Sequence, residues 1–180
     1  LMTLVDYLAF CWAISLLVIG LIFVASGFGI FVVNRLEGIV MILLGLSMFW
    51  GGWIISGAKS FSCAIAALLN IIDAASSVAL WNFEINPFVL QLGPTLFLTA
   101  KVVSSLSIML YAKLYPNPRK GGILLAMFFA IIVGWNLSQH LRANLDIRAF
   151  DYALFLGAAF SFIASTIVLF AIFLNEQIQK

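Results

Sequence analysis

The chain has 180 residues, of which 64% are hydrophobic, 14% aromatic and 9% charged, and its mean hydropathy is +1.18. That balance excludes a soluble globular domain and makes lipid the solvent. Nine Lys/Arg against seven Asp/Glu leave a net charge of +2, too sparse for a nucleic-acid-binding surface, so no nucleic-acid partner is expected. Cys11 and Cys63 lie far apart in apolar stretches, without Cys-x-x-Cys spacing, and indicate neither a disulfide framework nor a zinc site.

Crossing about 30 Å of hydrocarbon takes roughly 20 mostly apolar residues, and such runs recur at 8–33, 38–57, 61–82, 94–114, 121–141 and 152–174, with Pro87 as an earlier start for the fourth. The sequence therefore predicts an all-α, polytopic transmembrane helix bundle of about six spans, forming a single transmembrane domain over 1–180. The longest polar connections, 113–121 and 140–148, are too short to build a core of their own. The first run carries Asp6, has no Lys or Arg before it and continues past Ala25-Ser26-Gly27, so it is expected to be a retained span and not a cleaved leader.

If six spans alternate, one side holds both termini with Lys59, Lys113, Arg119, Lys120 and Lys180, and the other holds Arg35, Arg142 and Arg148. The positive-inside bias then predicts a multi-pass protein of the cell membrane with cytoplasmic termini. Tyr7, Trp12, Trp53 and Tyr115 fall near one interface and Trp81, Trp135 and Tyr152 near the other, the pattern of an aromatic belt. The entries to spans two and five, Arg35-Leu-Glu-Gly and Arg119-Lys-Gly-Gly, share a basic residue, a glycine and an apolar run, which is too little to argue an inverted repeat.

Helices in lipid associate through close backbone approach and polar contacts. Small residues recur every fourth position in span five (Gly122, Ala126, Ala130, Gly134, Ser138), span six (Ala153, Gly157, Ser161, Ser165) and span three (Ser62, Ala66, Asn70, Ala74). These stripes predict packing within the bundle, with a dedicated oligomerisation face as the other reading.

Two ionisable residues stand at helix centres, where a charge costs a few kcal/mol and asks for a partner. Asp73 in span three and Lys101 in span four belong to consecutive antiparallel helices and fall at comparable depth, so an Asp73–Lys101 pair between them is expected. Asn70 or Asn136 is expected to meet the remaining hydrogen-bonding capacity. The pair reads either as a lock between helices or as part of an ion or proton path. Between the two spans, Glu84 lies near the interface and Asn86-Pro87 looks like a helix cap followed by proline at the first helical position. A second start signal follows at Gly93-Pro94. Span five ends in Trp135-Asn-Leu-Ser-Gln-His140, on the same side as Glu84. His140 is the lone histidine and supplies neither a bis-imidazole haem site nor a two-histidine metal site, so no cofactor and no metal are expected.

The sequence Leu-Asn-Ile-Ile-Asp73, then Glu84-Ile-Asn86-Pro87, a Gly-Pro-x-x-Phe step, Lys101 and Trp-Asn136-Leu span residues 69–137. This pattern resembles an uncharacterised family of small prokaryotic membrane proteins, frequent in archaea, marked by an intramembrane Asp, a Glu-x-Asn-Pro loop and a Lys in the following helix. The resemblance implies that Asp73, Glu84, Asn86, Pro87, Lys101 and Asn136 form the matching set. It carries no activity with it.

Motifs of catalysis are missing from the pattern: there is no Ser/His or paired-Asp spacing, no His-Glu-x-x-His and no P-loop, so no enzymatic activity is expected. The leading expectation is an accessory or structural subunit of a larger membrane complex, with membrane lipids and other integral membrane subunits as partners. The alternative is a small-solute or ion transporter, such as a six-span substrate-binding component of a vitamin importer.

Overall fold

A computed structural model describes residues 4–31, 34–58, 60–79, 87–144 and 150–178. Among them the chain forms six helices and no strand: α1 (Leu4–Phe31), α2 (Arg35–Ser56), α3 (Phe61–Ala79), α4 (Pro87–Leu114), α5 (Arg119–Asn144) and α6 (Phe150–Ile178). Helices are what lipid permits, because each backbone N–H and C=O must be satisfied within its own segment. Five of the six, α2 to α6, are long and apolar enough to cross a membrane. Helix α1 has 28 residues and carries the apolar run Leu8–Val24. The chain is an integral membrane protein with an all-α transmembrane bundle.

Polar residues at the ends set where the helices stop. Asn34 caps α2, its side chain accepting the Glu37 N–H at 3.4 Å, and Glu37 supplies the acidic first turn that the helix dipole favours. At the other end Gly57 takes φ 72° and donates its N–H to Ile54 O, a left-handed stop suited to glycine. Ser60 accepts the Cys63 N–H at 3.3 Å and so starts α3. Helix α4 begins at Pro87, but Gly93 breaks its geometry with φ 71° and ψ 162°, so Pro87 and Gly93-Pro94 both act as starts, one for each side of a kink.

Helix α3 is the centre. Of its apolar window 61% is buried, against 17% to 33% for the other four. It packs on α1, α4 and α5, while α2 lies almost wholly on α1 and α6 mainly on α5. The small-residue stripes carry this packing: Ser62, Ala66, Asn70 and Ala74 are all buried, as are Gly122, Ala126, Ala130, Gly134 and Ser138. On α6, Gly157 and Ser165 are buried, and Ser161 Oγ donates to Ile131 O of α5 at 2.9 Å. Ala153 lies outside the residues whose side chains are described.

The closest pair, α1 and α2, meets through a different repeat. Ala13, Gly20 and Gly27 on α1 face Gly52, Gly45 and Gly38 on α2 at seven-residue spacing. A Cβ on Gly20 would stand 2.7 Å from Gly45 O, one on Gly45 2.7 Å from Gly20 O, and one on Gly52 2.6 Å from Ala13 O. The two backbones touch where side chains would otherwise hold them apart, which maximises dispersion contact where lipid offers no hydrophobic drive.

Of the expected aromatic belt, Trp81 and the side chains of Tyr7 and Tyr152 lie outside what is described, and among the described members one, Trp53, turns away from the surface. Trp53 is 4% exposed and packs against Phe49 at a ring separation of 5.8 Å, because it projects from the α2 face that holds α1. Trp12 and Tyr115 are exposed, and Trp135 is partly exposed where its ring covers Gly157.

Candidate functional site

The bundle's polar centre is built on one face of α3. Asp73 lies twelve residues beyond Phe61, about 18 Å along the helix axis, and is buried at 3% exposure. Helix α4 runs antiparallel beside it and brings Lys101 to the same depth. Lys101 Nζ forms an ion pair with Asp73 Oδ2, the contact that depth matching predicts. The other carboxylate oxygen, Oδ1, accepts a hydrogen bond from Asn136 Nδ2 of α5 at 2.8 Å. Both oxygens of Asp73 are therefore engaged, each by a different helix, and the side chain ties α3, α4 and α5 together.

Asn136 makes further contacts on α3: its Nδ2 lies 3.1 Å from Ser76 Oγ and 3.2 Å from Ser77 Oγ. Ser76 Oγ itself donates to Asp73 O at 2.9 Å. Asn70 does not touch the carboxylate. Three residues earlier on α3, it turns to α4, donating to Lys101 O at 2.8 Å and to Ser105 Oγ at 2.9 Å. Ser105 Oγ passes the chain on to Ala67 O at 2.9 Å. Of the two asparagines expected near the pair, Asn136 saturates Asp73 and Asn70 pins the backbone of the lysine's own helix. The Oδ1 of Asn70 is buried and has no hydrogen-bond partner among the described residues.

The surroundings of the lysine are aromatic. Its Nζ stands 5.4 Å from the centroid of Phe97, one turn earlier on α4, and 5.3 Å from that of Phe129 on α5. Both lie within the range at which an ammonium is attracted to a ring's quadrupole. The pair is open on the lysine's side, with side-chain exposures of 19% for Lys101 and 4% for Asp73, because α4 and α5 scarcely meet. Sequence reasoning missed Ser105 and Phe129, and it met Phe97 only as the end of the Gly-Pro-x-x-Phe step, without placing it at the lysine. Ser105 and Phe97 are spaced four residues either side of Lys101, so the face that carries the lysine was readable as a stripe; the approach of Phe129 was not.

Glu84 and Asn86 lie outside the described residues. Pro87 and His140 belong to α4 and α5, but their side chains also lie outside what is described. At the opposite end of α3, Ser62 Oγ donates to Arg119 O at 3.2 Å and Cys63 Sγ to Pro118 O at 3.5 Å. These bonds fix the α4–α5 connection against the start of α3. Lys113 Nζ lies 4.3 Å from the Phe10 centroid on α1.

No protein-family model, no curated protein and no solved structure matches the chain.

Proposed function

We propose that the chain is a non-enzymatic accessory subunit of a larger membrane complex, in which the Asp73–Lys101–Asn136 node is a structural lock. The observation that carries this reading is that both oxygens of Asp73 are engaged within the chain, one by Lys101 of α4 and the other by Asn136 of α5. A buried pair of this kind joins helices and specifies their arrangement at little net gain in stability. Support also comes from the one-sided outer helices, since α6 buries 17% of its apolar window and α2 and α4 bury 28% each, leaving broad faces for lipid and for other integral membrane subunits.

In this reading the termini and the 113–120 loop face the cytoplasm, on the five-to-three distribution of basic loop residues. Membership of the family marked by the intramembrane Asp, the Glu-x-Asn-Pro loop and the following Lys belongs to the same proposal, on the residues between 69 and 137. The test is extraction of the protein from its native membrane in mild detergent, followed by mass measurement of the intact particle. Stoichiometric partner subunits are expected. A particle of this polypeptide and lipid alone overturns the reading.

A second reading, transport of a small solute or ion, is favoured by one observation. The lysine is the more exposed member of the pair, and α4, which carries it, is interrupted two turns earlier at Gly93. A lone, monodisperse particle that catalyses solute uptake into vesicles is the outcome that establishes it.

A further inference from the structure

We infer that the node is a binding site for a primary ammonium group, occupied in this state by the chain's own lysine. The site stands whether or not the chain has partners, and a guest that displaces Lys101 would open the Asp73–Lys101 link between α3 and α4. Its floor is Asp73, 3% exposed, whose carboxylate is held by Asn136 at 2.8 Å and so keeps its place without Lys101. Its walls are the rings of Phe97 and Phe129, 5.4 Å and 5.3 Å from the ammonium nitrogen. A carboxylate beside a position that two aromatic rings approach recognises a singly charged, N–H-donating organic cation. The carboxylate supplies the charge and the hydrogen-bond acceptor, and the rings reward a cation that sheds water easily. Sodium meets here only a few oxygen ligands and two apolar walls, whereas a hard cation asks for a shell of oxygens.

The remaining features fit a site that exchanges its occupant. The open side is the lysine's, at 19% exposure against 4% for the aspartate. The two rings belong to α4 and α5, helices that scarcely meet. Lys101 enters the cage on a helix whose main partner is α3 and whose geometry breaks two turns earlier, at Gly93. A tethered ammonium has a high effective concentration, so Lys101 blocks its own cage until it is withdrawn or removed.

Lys101→Ala deletes Cγ, Cδ, Cε and Nζ, and n-propylammonium is the free molecule that replaces them atom for atom. The full chain in lipid nanodiscs carrying Lys101→Ala is expected to unfold about 10 °C or more below the wild type, since the aspartate loses its counter-charge. n-Propylammonium chloride is expected to recover at least about half of that loss saturably, as linkage requires of a ligand for the folded state. Tetramethylammonium and sodium at equal ionic strength are expected to recover none, and Asp73→Asn/Lys101→Ala to show no response. Adding Phe129→Leu should raise the half-saturating concentration about threefold or more. If Lys101→Ala is not recovered intact, its yield relative to the double variant, with and without n-propylammonium throughout solubilisation, reads the same equilibrium. The inference is overturned by no recovery, by equal recovery with sodium or tetramethylammonium, or by recovery that persists without Asp73.

Discussion

Asp73→Ala, Lys101→Met and the double variant form a cycle whose corners the geometry ranks. Removing Asp73 leaves an ammonium that keeps its two ring contacts and is already 19% exposed. Its four-carbon stem lets it turn toward the seam between α4 and α5. Removing Lys101 leaves a carboxylate at 4% exposure on a short side chain, with Asn136 as its remaining partner from another helix. Breaking a buried pair from one side costs about 3–5 kcal/mol, so we expect about 3 kcal/mol for Asp73→Ala and nearer about 5 kcal/mol for Lys101→Met. The double variant strands no charge and forfeits chiefly the Asn136 hydrogen bond, for an expected loss of about 1–2 kcal/mol. The two singles together then exceed the double by about 6 kcal/mol, far above the roughly 0.5 kcal/mol scatter of independent sites. The assay is equilibrium unfolding in mixed micelles of increasing dodecyl sulfate fraction, followed by far-ultraviolet circular dichroism. Additivity within that scatter refutes the coupling, and a costlier Asp73→Ala than Lys101→Met refutes the argument from exposure.

Four further outcomes test the third member of the node and other parts of the structure. Gly45→Leu should cost at least about 1–3 kcal/mol by forcing α1 from α2, because its Cβ would stand 2.7 Å from Gly20 O; Gly51→Leu, with nothing within 4 Å, should stay within about 0.5 kcal/mol. Gly93→Ala should destabilise by about 1–3 kcal/mol although its surroundings are open, since φ 71° and ψ 162° lie where glycine alone sits without strain; a thermal midpoint equal to the wild type's counts against the kink. Asn136→Leu withdraws the donor to Asp73 Oδ1 and should cost about 1.5–3 kcal/mol in the same micelle titration. A cysteine at position 117 in a cysteine-free background should react with an impermeant maleimide from the cytoplasmic side alone; labelling from outside reverses the orientation.

Composition and spacing were enough for the helices, because a chain this apolar must satisfy its backbone internally and the hydrocarbon thickness sets the run length. Depth along each helix was equally legible, since rise per residue is constant, and it is depth that pairs Asp73 with Lys101. The four-residue stripes of α3 and α5 also read directly, as every member is buried. Which neighbour each face meets was not legible. A helix apolar on nearly every side has no polar stripe to show which face meets a neighbour. That choice sent Asn70 to the Lys101 carbonyl and Ser105 instead of to Asp73, turned Trp53 inward and set Phe129 beside the lysine. The seven-residue repeat of Ala13, Gly20 and Gly27 against Gly38, Gly45 and Gly52 lies open in the sequence. It acquires meaning only when the antiparallel register brings each small residue opposite another, for dispersion contact between two backbones exists only where both lack a side chain at the same height.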